Sequence, residues 1–140
     1  MSRVFWDTNL FIYLFEGYGQ LSERVDLLRR RMLDRGDQLL TSTLTLGELL
    51  VKPTEMGELD LCEDYERALS ETAVLIPFDA KAATCYAQVR RDRSIRPPDA
   101  VQLACAAAAK VDLFITHDDK LKSKQVKGIH FITSLDGAPL

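Results

Sequence analysis

The sequence predicts one α/β domain over residues 1–140, with a central, mostly parallel five-stranded sheet flanked by helices on both faces. Short apolar runs rich in β-branched and aromatic residues alternate with longer segments of helical periodicity along the whole chain. Turn and capping residues punctuate the junctions, and no repeat, linker or low-complexity tract divides the chain.

Taken in order, Arg3–Trp6 is a short buried strand, and Asp7, Thr8 and Asn9 open a helix carrying Leu10, Ile12, Tyr13 and Leu14. Leu21, Val25, Leu28 and Met32 then recur at helical spacing, with Gly36 as the stop. The charge run Arg29, Arg30 and Arg31 lies mostly on other faces of that helix and reads as solvated. Gln38–Ser42 is a second strand, and Thr43 or Thr45 starts a helix through Glu48 that must end near Pro53. The polar stretch Glu55–Glu71 reads as one or two connecting helices.

Val74–Phe78 is a third strand, after which Asp79 caps a helix with Ala82, Ala83, Tyr86 and Val89 on its apolar face. Pro97 suits a first helical position, which puts Asp99 in the first turn of a small-residue helix through Ala108. Leu113–Thr116 is a fourth strand, ending at His117 and Asp118; a lysine-rich helical segment and a fifth strand, Ile129–Thr133, follow. In such a parallel sheet the binding crevice lies outside the carboxyl ends of the strands.

Four acids fall on that rim. Asp7 and Asp118 follow strands, while Glu48 and Asp99 begin helices. Alone, Asp7 is explained as a cap, Glu48 as a solvated helix residue and Asp99 as a first-turn acid. Gathered in one cleft, carboxylates about 4 Å apart repel by roughly 4 kcal/mol at an effective dielectric near 20, so either some are protonated or a cation sits among them. An all-oxygen ligand set suits Mg²⁺ or Mn²⁺, which bind phosphate as well, so the pattern points to a divalent-metal phosphoryl site.

Composition narrows the class. The chain is 46% hydrophobic and 28% charged, with no apolar run long enough for a membrane helix and no signal-peptide pattern, so a cytoplasmic protein without a membrane partner is expected. Cys62, Cys85 and Cys105 form an odd set without CxxC spacing and read as small buried apolar residues. The net charge of −3 argues against a globally basic nucleic-acid binder but leaves room for local basic patches. Two such clusters stand beside the acids: Arg90, Arg91, Arg93 and Arg96 before Asp99, and Lys120, Lys122, Lys124 and Lys127 after Asp118. Trp6 and Phe5 belong to a strand and are expected in the core rather than against a base.

The segments FWDTNLFIYLFEG, TLTLGELLVKP, RPPDAVQLACAA and LFITHDDKL, in this order and spacing, resemble the PIN-domain nucleases, particularly the small toxins of the VapC type. The resemblance spans nearly all of the chain. It implies a Mg²⁺- or Mn²⁺-dependent endoribonuclease acting on single-stranded regions of structured RNA, leaving a 3′-hydroxyl and a 5′-phosphate, and held in check by a cognate antitoxin. On this resemblance Asp7 and Asp99 are the principal metal ligands, and Glu48 and Asp118 complete the catalytic quartet directly or through water. Glu48 alternatively orients the attacking water. Thr116 and Asn9 match supporting positions of the fourth and first motifs. His117 stands where asparagine is frequent, and Asp119 adds a second acid beside Asp118, so either of the pair could face the metal.

Two rivals remain. A phosphatase of the haloacid-dehalogenase type needs an aspartate two residues after its nucleophile, where this chain has Asn9. A degenerate PIN fold serving only as a binding module is the other, although all four acidic positions are filled. A homodimer and an antitoxin are the expected protein partners. The apolar helices near Tyr13 and Leu28 could serve them, with core packing as the simpler account.

Overall fold

Five strands, β1 (Arg3–Trp6), β2 (Gln38–Ser42), β3 (Val74–Ile76), β4 (Leu113–Thr116) and β5 (Phe131–Ser134), form one sheet in the computed structural model, which describes residues 1–138. All pair in parallel, in the order β3-β2-β1-β4-β5. The helices are α1 (Thr8–Phe15), α2 (Gln20–Arg35), α3 (Thr43–Glu55), α4 (Leu59–Thr72), α5 (Ala80–Val89) and α6 (Pro97–Ala108). None is long and apolar enough to cross a membrane.

A parallel sheet covered on both faces needs apolar side chains at consecutive positions, and the pleat then divides them between two layers. Val4, Trp6, Leu39, Leu113 and Ile115 pack with α1, α2 and residues of α3 and α4. Phe5, Leu40 and Phe114 point the other way, against α5 and α6, with Phe5 and Phe114 stacked at 5.1 Å. The small residues of α6 allow its close approach, and six of its last seven positions are fully buried or nearly so. Phe5 and Trp6 are completely buried, as their strand position required.

Chain order reverses between β1 and β4, which makes their carboxyl ends the switch point of the sheet. Asp7 and Asp118 therefore stand on either side of one crevice.

Several boundaries differ from expectation. β3 stops at Ile76, because Pro77 has no N–H to give the ladder, and Phe78 is 45% exposed. β5 begins at Phe131, leaving Ile129 as a buried plug before it. α3 runs through Pro53 to Glu55; the stop is Gly57, at φ 72°, where a side chain would be strained. Glu55–Glu71 resolves into the end of α3 and the single helix α4.

The lysine-rich segment after Asp118 is a series of turns, with Leu121 N–H on Asp118 O at 3.1 Å and Lys124 N–H on Leu121 O at 3.0 Å, not a helix. Its like charges and the single deeply buried anchor Leu121 cannot offset the cost of nucleating a helix. Only Cys105 among the cysteines is fully buried; Cys62 and Cys85 are half-buried. Arg29 also departs from a solvated reading: its stem is partly buried and its guanidinium reaches Thr72 O at 3.4 Å.

Candidate active site

Asp7 is the first residue past β1 and occupies the cap position of α1 with extended backbone. Its location follows from β1 ending beneath α1, and it leaves the side chain only 9% exposed. Burial pushes its carboxyl up to about 7; the Thr116 hydroxyl pulls it down, and the charge of Asp99 pushes it further up. The amides of Asn9 and Leu10 favour the charged form without closing a capping bond. Asp7 Oδ2 accepts from Thr116 Oγ1, whereas Oδ1 is buried without a hydrogen-bond partner. Asn9 itself is exposed.

Thr116 ties the two strand-end acids together. Its hydroxyl donates to Asp7 and accepts from the Asp118 N–H at 2.9 Å. Asp118 Oδ1 in turn accepts from Lys120 N–H at 2.9 Å, closing a turn that holds the carboxylate on the crevice. Asp118 also raises the carboxyl of Asp99. Asp119 is directed to solvent, 80% exposed, with Lys122 at 3.5 Å.

Asp99 lies in the first turn of α6, after Arg96 at the cap position and Pro97 at the first helical one. It is half-buried, and burial, Asp118 and Glu48 raise its carboxyl while Arg96 opposes them. The four predicted acids are thus electrostatically coupled through Asp99. Glu48, on the exposed side of α3, is held by a 2.6 Å bond from the Thr8 hydroxyl to its Oε1.

Beneath Glu48 lies a buried polar network that no sequence motif announced. Gln102 Nε2 is 3.0 Å from Thr8 Oγ1 and 2.9 Å from Thr45 Oγ1, and its Oε1 accepts from Ser42. Thr45 meets Thr41 at 2.8 Å, and Thr41 donates to Trp6 O at 2.8 Å. The available signals were the hydroxyl-dense run Thr41–Thr45 and one amide on the otherwise apolar face of α6, three residues beyond Asp99.

At the rim, Tyr13 hydroxyl meets His117 Nδ1 at 2.7 Å, and the Tyr13 ring stands edge-on to both His117 and Tyr18. Burial and the charge of Asp7 raise the Tyr13 phenol, which places it close to the acids. Tyr18 and Glu48 also line a groove of about 420 Å³ running between α1, α3 and α4.

The two basic clusters meet on another flank. Arg91, Lys124 and Lys127 line a second groove of about 650 Å³, and Lys124 bonds Asp92 at 2.9 Å and Ser94 at 2.8 Å. Arg90 is committed to the loop, its guanidinium on Ile95 O at 2.5 Å. Arg93 and Arg96 are exposed, and Arg96 acts on Asp99.

Among the described residues, no three His, Cys, Asp or Glu side chains form a preformed metal cage. One oxygen each of Asp7, Glu48 and Asp118 is already engaged by a hydrogen bond, from Thr116, Thr8 and the Lys120 N–H respectively. Mg²⁺ nevertheless takes only one or two carboxylates and keeps several waters, so a loose quartet suits it. A buried carboxylate oxygen without a partner, pressed upon by a second carboxylate, is the kind of group a hard cation satisfies. The donor set fits the metal expected from the sequence.

The family model for the PIN domain matches residues 4–127. No curated protein matches the chain significantly. Among solved structures, the fold is similar to VapBC2 from Rickettsia felis bound to a promoter DNA fragment, at TM-score 0.70 and 16% identity, covering 94% of this chain and 98% of that one. It is also similar to a toxin–antitoxin complex from Klebsiella pneumoniae, at TM-score 0.65 and 22% identity, covering 90% and 94%. A structure of FitAB bound to a DNA fragment gives TM-score 0.74 at 19% identity, covering 98% of both chains.

Proposed function

The chain belongs to the PIN domain family, and from that membership and the carboxylate cleft we propose that it is a Mg²⁺- or Mn²⁺-dependent endoribonuclease, the toxin of a toxin–antitoxin pair. The observation that carries the proposal is Asp7 Oδ1, a buried oxygen without a hydrogen-bond partner at the switch point, facing the field of Asp99. Asp7 and Asp99 would hold the cation, with Glu48 and Asp118 completing its surroundings. Bound there, the cation would polarise the scissile phosphate and ease ionisation of a water for in-line attack.

The chain's own residues divide the remaining work. Thr116 links the two strand-end acids, donating to the Asp7 carboxylate and accepting from the Asp118 N–H. Glu48, fixed by Thr8, is available to orient a water. Arg96, beside Asp99, and the exposed Arg91 and Arg93 offer positive charge to a backbone that would otherwise meet only acids. Arg90 supports them through its hold on the loop.

Single-stranded RNA presents unstacked bases, and Tyr18, half-exposed against Tyr13, which in turn meets His117, offers a face for one of them. Tyr18→Ala should raise KM for RNA by roughly tenfold and leave kcat within about twofold, because base stacking is worth about 1–3 kcal/mol and contributes to uniform binding. Steady-state kinetics on a short unpaired RNA would check this; a change confined to kcat would contradict it.

An antitoxin partner is supported by the likeness of the fold to chains solved within toxin–antitoxin complexes and by exposed Val51, Met56 and Leu59 near the groove that holds Glu48. The reading is tested by incubating purified protein with single-stranded RNA. Cleavage should require Mg²⁺ or Mn²⁺ and cease on chelation; cleavage that persists in EDTA, or none with either metal, would refute it.

A further inference from the structure

We propose that Gln102 is a positioning residue for the carboxylate cleft: its amide directs the Thr8 hydroxyl onto Glu48 and so fixes where that carboxylate stands. The inference rests on the reading of Glu48 as a member of a metal-dependent nuclease site.

The direction of every proton in the network follows by elimination. Thr41 donates to Trp6 O, a carbonyl that can only accept, so the Thr41 oxygen is left to accept from Thr45. Thr45 has then spent its proton and must itself accept, which it does from Gln102 Nε2 at 2.9 Å. The other N–H of the same amide goes to Thr8 Oγ1 at 3.0 Å. Thr8 is thereby an acceptor on its inner side, and of the two oxygens then open to its single proton, Thr45 Oγ1 at 3.2 Å and Glu48 Oε1 at 2.6 Å, the much shorter contact to Glu48 takes it. Ser42 donates to the amide oxygen and locks the amide against rotation.

The amide orientation is decisive. Turned by half a rotation, Gln102 would present its oxygen to Thr8 and Thr45, take the Thr8 proton, and leave two hydroxyl oxygens facing Glu48 or each other without a donor. Gln102 is 4% exposed and Thr45 completely buried, so water cannot easily replace what the amide supplies. One side chain on α6, the helix that carries Asp99, thus orients an acid on α3 through the first residue of α1. It also joins the three helices that surround the cleft.

The variants Gln102→Met, Gln102→Glu, Thr8→Val and Thr8→Ser, with the Gln102→Met/Thr8→Val double variant, test this. Mn²⁺ affinity measured by calorimetry should fall by about tenfold in Gln102→Met and in Thr8→Val, the order found when outer partners of metal ligands are removed. The double variant should lose no more than either single one, since both act through the same hydroxyl. Thr8→Ser, which keeps the hydroxyl, should recover most of what Thr8→Val loses. RNA cleavage should show a reduced kcat with KM within about twofold.

Wild-type Mn²⁺ affinity in Gln102→Met, or losses that multiply in the double variant, would overturn the inference. Gln102→Glu keeps the shape of the side chain but withdraws at least one donor, so its crystal structure should show Glu48 released from Thr8. Glu48 retained on Thr8 in that structure would overturn the inference even if the wild type bound no Mn²⁺, an outcome that would refute the functional reading separately.

Discussion

Asp7→Asn should lower RNA cleavage by roughly 1,000-fold or more, the order expected when a preorganised charged group acting in the transition state is removed, while raising the melting temperature of the metal-free protein. The two effects have one cause. Asp7 is 9% exposed, one oxygen lacks a hydrogen-bond partner, and its carboxyl is pushed up from 3.8 to about 7 by burial and the neighbouring Asp99. The unfolded chain ionises this group near 3.8, whereas the folded protein resists ionisation until about 7.

Below the lower value both states hold the proton and there is no penalty. As pH rises between the two, the unfolded state has fewer protons bound, and stability falls. At neutral pH the penalty is on the order of 4 kcal/mol, and asparagine escapes it by remaining uncharged. Thermal melts in EDTA should show a wild type that weakens from about pH 4 to about pH 7 and a variant with a flatter profile. A variant that melts lower at neutral pH would mean that Asp7 is a structural cap, not a strained ligand.

Asp99→Asn should reduce cleavage by roughly 100-fold or more with a much smaller change in melting temperature. Asp99 is only half-buried, and Arg96 partly compensates its repulsion with Asp118 and Glu48, so less folding energy is stored there. Its carboxylate nevertheless couples to all three other acids: it raises Asp7, and Asp118 and Glu48 raise it. Removing it should therefore weaken metal binding and relax Asp7 together. Kinetics and melts on the same preparation would separate these effects; unimpaired cleavage in a folded variant would exclude Asp99 as a ligand.

Much of the fold was legible because each strand is a short apolar run bounded by a residue with a specific turn role. Asp79 caps α5 through the Ala82 amide at 3.0 Å, and Gly36 ends α2 at φ 72°, both as the local sequence required. The misread elements are those where local pattern and tertiary context disagree. Lys120 to Lys127 carries residues of good helix propensity, but their charge and the turn closed by Asp118 favour successive turns. Pro53 looked like a helix end and is tolerated close to one.

The four acids were readable as isolated turn and helix-start residues, and their expected place on one rim followed from the parallel topology; the structure shows them electrostatically coupled through Asp99 without a preformed cage among the described residues. The different settings of Asp118 and Asp119 needed coordinates, since adjacent side chains with the same chemistry differ only in where the backbone turns them. The Gln102 network was hidden for another reason. Threonine at a helix start and glutamine within a helix are unremarkable locally, and only the packing of α1, α3 and α6 around the end of β2 brings Thr8, Thr41, Ser42, Thr45, Glu48 and Gln102 into one chain of hydrogen bonds.

The most direct measurement is a calorimetric titration of Mn²⁺ into the metal-free protein at neutral pH, run in parallel on wild type, Asp7→Asn and Asp99→Asn. Saturable binding to the wild type, weakened at least about tenfold in each variant while both remain folded, is the predicted result. Equal affinity in all three proteins, or no binding to the wild type at millimolar metal, would contradict a cation held by the switch-point acids.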